Sequence, residues 1–231
     1  MKTLEEYKYF ETANGILYHG DCLEIMPLLE NKSVNVSFTS PPYNRKRNDK
    51  YKFYDDNITD YYKFLFDVLN ELKRITSRNI FFNIQKTMYN KKDVFKIIGE
   101  FYNDIYEIFI WEKSNPLPAN GLNITNAYEF IICFGEWLKS NKTYTKNHIT
   151  TSVTVMPKEH KAVMNDKISD FFMENFTQNE DTILDCFGGT GTTAISCIKN
   201  NRKFVLIEKH EEYCEIAKKR ILAEYNQIKM F

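Results

Sequence analysis

The tetrapeptide Ser40-Pro41-Pro42-Tyr43 follows directly on the apolar run Val34-Asn35-Val36-Ser37-Phe38. Neither proline can donate a backbone N–H, so a strand pairing through this run has to stop there. The residue before each proline is also pushed toward extended geometry. The product is a stiff turn at a strand's C-terminal edge that presents a small hydroxyl, a free carbonyl and an aromatic ring. Those groups suit a flat polar ring, with the two oxygens accepting hydrogens from an exocyclic amine. Pro42 reads as purely conformational, and the alternative for Tyr43 is an ordinary core aromatic.

A second constellation lies late in the chain, where Asp185-Cys186-Phe187-Gly188-Gly189-Thr190-Gly191-Thr192-Thr193 separates an apolar strand from a helix. Glycines let the backbone approach a ligand closely, and the helix start aims N–H groups at it. Gly189 through Ala194 meets the dinucleotide-binding pattern with Ala in the last place; the plain alternative is a tight strand-to-helix turn. Asp185 puts a carboxylate at the strand end, which suits a cationic amino acid group better than a pyrophosphate. Glu208 ends the next strand, where it could grip a ribose diol. Too little chain follows to complete such a domain, so the remaining strands must come from earlier in a permuted order.

The elements that must position these residues are legible from periodicity. Strands are expected at 16–19, 34–38, 79–84, 105–111, 128–134, 182–186 and 203–208. Helices are expected at 22–30, 60–75, 88–102, 166–176, 192–200 and 211–224. This alternation predicts an α/β fold, a doubly wound, mostly parallel sheet of Rossmann-like type, as a single domain over 1–231. Two polar stretches stand apart: 44–57, long for a loop in a compact domain, reads as a functional or mobile loop. Segment 137–160 reads as an inserted recognition element.

With 231 residues, 43% of them hydrophobic and 27% charged, the chain can bury a sizeable core. Its net charge of zero signals no polyanion partner globally. Locally, Arg45, Lys46, Arg47, Lys50 and Lys52 follow the proline turn with Asp49 alone against them, as a phosphate-gripping loop or a solvated face. The five cysteines are widely spaced, with no metal-ligand spacing, and read as reduced structural thiols. With no apolar signal core at Met1-Lys2-Thr3 and no membrane-length run, a soluble cytoplasmic protein without a membrane partner is expected.

Taken in order, these segments resemble the bacterial amino-group DNA methyltransferases, in the class whose catalytic motif precedes the cofactor glycine loop. The matching stretches are Tyr18-His19-Gly20-Asp21-Cys22, Thr39 through Asn44, Asp185 through Thr193, and Val205-Leu206-Ile207-Glu208 followed by Tyr213 and the Arg220 region. The resemblance implies S-adenosylmethionine as cofactor. Asp185, Phe187, Gly188, Gly189 and Gly191 would cradle its methionine side, with Thr192 and Thr193 opening the helix beneath. Glu208 would bind the ribose hydroxyls, and Asp21 with Cys22 the adenine. Ser40, the Pro41 carbonyl and Tyr43 would hold the target base. One departure is the stretch His160 to Asn165, which lacks the prolines usual in the family.

The function implied is methylation of duplex DNA on the exocyclic amine of a flipped base, within a restriction-modification system. Ser in the first place of the tetrapeptide goes more often with N4 of cytosine, Asp with N6 of adenine, so cytosine is preferred and adenine is the alternative. C5 methylation would need a cysteine nucleophile, and no Pro-Cys pair exists. A homodimer and a cognate restriction endonuclease are candidate partners. Rival readings are a nicotinamide-dependent oxidoreductase, a non-catalytic DNA-binding subunit, and a methyltransferase acting on RNA or a protein amide.

Overall fold

A computed structural model describes residues 2–45, 56–116, 124–152 and 164–228. Its frame is a nine-stranded sheet among the described residues, in the spatial order β1-β2-β9-β8-β3-β4-β6-β5-β7. The strands are β1 (Lys8–Thr12), β2 (Gly15–His19), β3 (Val36–Thr39), β4 (Ile80–Ile84), β5 (Ile105–Lys113), β6 (Tyr128–Phe134), β7 (His148–Thr151), β8 (Thr182–Asp185) and β9 (Lys203–Glu208). The run β2-β9-β8-β3-β4 is parallel throughout. β1, β6 and β5 join by antiparallel pairing, and β7 closes the far edge parallel to β5.

Both faces are covered by helices, which is why the central strands are apolar along their whole length. All of β3 and β4 is buried. Alternation along β4 sends Ile80, Phe82 and Ile84 into one core and Phe81 into the other. The first core is closed by α1 (Cys22–Ile25), α2 (Tyr61–Ile75) and α3 (Lys91–Glu100), through Leu65, Leu69, Leu72 and Val94. The second is closed by α4 (Asp166–Phe176), α5 (Thr192–Lys199) and α6 (Glu211–Ile228). Its centre is aromatic: the Phe81 and Phe172 rings meet at a tilt, 4.6 Å between centroids, with Phe38, Phe109 and Phe176 around them. No helix among the described residues is long and apolar enough to cross a membrane.

The structure departs from the sequence expectations in four places. The helix expected at 22–30 is cut to α1 plus a 3-10 turn over Met26–Leu28, because Pro27 has no N–H with which to continue an α-helix. The strand expected at 34–38 begins at Val36, Val34 making a lone bridge to Thr76. β1 and β7 were not expected at all. Both are edge strands of mixed burial, where the alternation that betrays a strand is weakest.

β7 also bears on the segment 137–160. Trp137 to Asn147 sits at the N-terminal edge of the parallel strands, where Asn141 bonds the Asn175 and Thr177 carbonyls at the end of α4. The chain then runs up β7 and reaches the opposite edge at Thr151, whose carbonyl accepts from Ser114 N–H. Residues 153–160 lie outside the described residues.

Candidate active site

Ser40 follows β3 directly and Asp185 ends β8, the adjacent parallel strand, so both stand at the C-terminal edge of the sheet. This is where open α/β sheets bind ligands. Thr39, the last residue of β3, donates its hydroxyl to Asp185 Oδ1 at 2.7 Å. The turn of the proline tetrapeptide and the glycine turn are thereby tied together at their roots.

The glycine turn is held on every side. Asp185 Oδ2 accepts from the Thr193 hydroxyl at 2.6 Å, and Oδ1 also takes the Phe187 N–H at 3.1 Å. Burial nevertheless pushes the Asp185 carboxyl above its ordinary range, the hydrogen bonds only partly opposing it. Gly189 and Gly191 adopt φ of 50° and 82°, which side chains with a Cβ rarely do. A Cβ on Gly191 would also lie 3.0 Å from the Ala217 Cβ. Arg220 from α6 clamps the intervening residue, donating to the Thr190 carbonyl and hydroxyl at 2.8 and 2.9 Å. Thr192 and Thr193 are buried in the first turn of α5.

At the end of β9, Glu208 accepts from Gly189 N–H and His210 N–H, both at 2.8 Å. Burial raises this carboxyl too. Asp21 sits across from it as the N-cap of α1, accepting Leu23 N–H at 2.9 Å and pairing with Lys209 at 3.0 Å. The Cys22 thiol points inward instead, buried beside Cys186. The expected cofactor residues thus converge on one edge, two carboxylates flanking a turn that carries no side chain at three positions. That arrangement fits a ligand with a cationic group at one end and a diol near the other.

On the tetrapeptide side, Ser40 Oγ lies 2.9 Å from the Tyr43 hydroxyl, which donates to Glu129 Oε2 at 2.7 Å. Burial, and then the Glu129 charge, hold the Tyr43 phenol well above its ordinary pKa, so it stays protonated. Asn83 Nδ2 reaches Tyr43 Oη, Glu129 Oε2 and Ser40 Oγ at 2.7, 2.8 and 3.2 Å. Lys113 Nζ pairs with Glu129 Oε1 at 2.5 Å, the two side chains only 11% and 4% exposed. Tyr61 donates to the Pro42 carbonyl at 2.6 Å, and Asn90 to the Tyr43 carbonyl at 2.7 Å.

The basic loop is closed at its neck. Buried Asp56 accepts the N–H groups of Asn44 and Arg45 at 2.7 and 2.9 Å, and Asn44 bonds both the carbonyl and the N–H of Ile58. Arg45 lies over the Tyr43 ring, 5.4 Å from its centroid, and bonds Gln85. Of the other basic candidates, Lys46, Arg47, Lys50 and Lys52 lie outside the described residues.

Asn83, Lys113 and Glu129 were missed by the sequence reading. Two of the three left a trace: Asn83 stands between Phe82 and Ile84, and Glu129 between Tyr128 and Phe130, polar groups inside strands otherwise fit for burial.

A family model described as DNA methylase matches residues 34–150 and 135–219. Among curated proteins, the type II methyltransferase M.MwoI of Methanothermobacter wolfeii is 28% identical over 90% of this chain, which spans 35% of that protein's length. Among solved structures, the PvuII DNA methyltransferase, described as cytosine-N4-specific, superposes with a TM-score of 0.75 at 21% identity, covering 96% of this chain and 95% of that one. The M1.HpyAVI complex with S-adenosylmethionine gives 0.65 at 23% identity, covering 89% and 98%. The matched residues take in the Ser40 turn, Asn83, Glu129, the glycine turn and Glu208, so the chain belongs to the DNA methylase family.

Proposed function

We propose that the protein transfers a methyl group from S-adenosylmethionine to the exocyclic amine of a base flipped out of duplex DNA, with N4 of cytosine as the target. The observation that carries this reading is the Thr39–Asp185 bond, which ties the amine-accepting turn to the glycine turn at one sheet edge. Asp185 and the Phe187–Gly191 backbone would hold the amino acid part of the cofactor, and Glu208 its ribose, with Asp21 and Cys22 near the adenine. When bound, the cofactor supplies an electrophilic methyl on a sulfonium.

The chain's own residues handle the amine. Its lone pair is delocalised into the base ring, which makes it a poor nucleophile. Ser40 Oγ and the Pro41 carbonyl accept its hydrogens, favouring a pyramidal nitrogen with a localised lone pair. What remains is to hold that lone pair in line with the methyl; as the N–C bond replaces the C–S bond, the nitrogen sheds one proton to water. The Tyr43 ring offers a stacking face that offsets an unstacking cost of a few kcal/mol. The face over which Arg45 lies is the one the base would compete for.

Ser in the first place of the turn, and the resemblance to a cytosine-N4-specific relative, favour cytosine. N6 of adenine is the second reading, favoured by Glu129, a carboxylate behind Ser40 that strengthens its accepting character. Membership of the DNA methylase family sets aside the nicotinamide oxidoreductase. Within 137–160, the stretch from Thr151 onward is the better candidate for reading sequence, since it begins at the site's edge. Arg45 and the basic residues after it would grip phosphates. The type II relative supports a restriction-modification setting, in which an endonuclease of the same specificity would be the partner. A homodimer would enlarge the DNA contact; a monomer by light scattering that methylates its site alone excludes it.

The test is tritiated methyl transfer to duplex DNA, followed by mass analysis of the nucleosides. N4-methylcytosine is expected. N6-methyladenine would establish the second reading, and no transfer by protein that binds S-adenosylmethionine would refute both.

A further inference from the structure

The hydrogen-bond chain beneath Ser40 has only one consistent direction. Glu129, paired with Lys113, can only accept, so the single Tyr43 hydroxyl hydrogen is committed to it. The 2.9 Å contact between Tyr43 and Ser40 must then be donated by Ser40. With its own hydrogen turned inward, Ser40 meets a ligand with lone pairs alone.

Asn83 shows that this arrangement is not optimised for stability. Its Nδ2 is held facing Glu129, Tyr43 and Ser40, which leaves the fully buried Oδ1 without a partner among the described residues. Turning the amide over would set that oxygen against the Glu129 carboxylate, with the Ser40 hydroxyl as its one possible donor among these partners. A buried acceptor left without a donor forfeits its bonds to water and gains nothing in return. Glu129 itself is a charged residue inside an otherwise apolar strand, and burying such a pair is weak support for a fold.

We propose that Glu129 is a positioning residue which, acting through Tyr43 and with Asn83 and Lys113 holding it in place, makes Ser40 an obligate hydrogen-bond acceptor and so selects a ligand that presents an amine. The inference rests on the reaction given under Proposed function. A base with a carbonyl in place of the amine brings an acceptor against an acceptor, and the site rejects it. Cytosine and adenine qualify; thymine and guanine do not at that position.

The experiment compares Tyr43→Phe, Glu129→Gln and the double variant with the unaltered protein, measuring kcat and KM for methyl transfer to DNA and, separately, the Kd for S-adenosylmethionine by calorimetry. Each single variant is expected to lose about 10²-fold in kcat, with the cofactor Kd and the KM for DNA unchanged. The double variant is expected to lose no more than either single one, because both cut the same chain. Multiplying losses, or single variants with unaltered kcat, would overturn the proposal. Should Glu129→Gln fail to fold beside Lys113, Tyr43→Phe leaves the ion pair intact and decides the matter by its kcat and cofactor Kd. No transfer by the unaltered protein would overturn the reaction and this inference with it; normal transfer by both variants would overturn the inference alone.

Discussion

Thr39 and Asp185, 146 residues apart in sequence, are joined by a buried 2.7 Å hydrogen bond between the ends of neighbouring strands. Asp185 depends on it, because a buried carboxylate must find its donors inside the protein. Thr39→Val keeps the shape of the side chain and removes the donor. It should lower stability by about 1–3 kcal/mol, read from urea unfolding, and weaken S-adenosylmethionine binding measured by calorimetry. A variant as stable as the original would show that Thr193 and Phe187 suffice.

Glu208 gives a pH dependence of defined sign. Burial raises its carboxyl above the ordinary 4.5, so the folded protein holds this proton more tightly than the unfolded chain. The contribution to stability is fully present below 4.5 and is lost as pH rises through the folded value. Glu208→Gln does not titrate there. The stability of the unaltered protein minus that of the variant should therefore fall between pH 4.5 and neutrality, as urea unfolding at several pH values would show. A difference that grows over the same window would place the folded value below 4.5.

Asp56 tests whether the neck of the basic loop aims Tyr43. It is fully buried and accepts two consecutive N–H groups directly after the tetrapeptide. Asp56→Ala leaves both donors unpaired and should cost about 1–3 kcal/mol for each group that water cannot reach. Methyl transfer should fall in kcat while the cofactor Kd holds, since Asp56 lies on the tetrapeptide side. An equal loss of cofactor affinity would mean that the neck supports the whole edge.

Phe172→Ala addresses the aromatic core. The ring is fully buried against Phe81, Phe38 and Phe109. Its removal should cost about 3–5 kcal/mol, measured as a lower denaturation midpoint with an unchanged slope. A loss below about 1 kcal/mol would mean that the cluster collapses into the gap.

Much of the frame could be read from the chain because burial on both sides writes itself into sequence. β6, β9 and α4 fall where expected, the strands as largely apolar runs and the helix as a clean stripe. The four-residue edge strand β7 has no such run, and Pro27 shortened α1 by a backbone effect that periodicity does not register. The glycine turn was legible because glycines between a strand and a helix have a local signature. Glu129 and Asn83 show only a polar break in an apolar strand: each matters through what the fold brings within 3 Å. Such residues surface as polar breaks in an apolar strand and get a role only once the register is known.

The order of the sheet divides the chain in an unexpected way. Residues 2–152 hold Ser40, Tyr43, Asn83 and Glu129, and residues 164–228 hold Asp185, the glycine turn and Glu208. Two parallel seams in the sheet, β2 against β9 and β3 against β8, stitch these parts together. On the reading proposed above, the first part carries the base-side residues together with Asp21 and Cys22 of the cofactor edge, the second carries the rest of the cofactor edge, and neither has a whole site. A chain severed between them would be inert as separate halves and would work only when the halves met, so a methyl mark on DNA would become a lasting record of an encounter between two molecules.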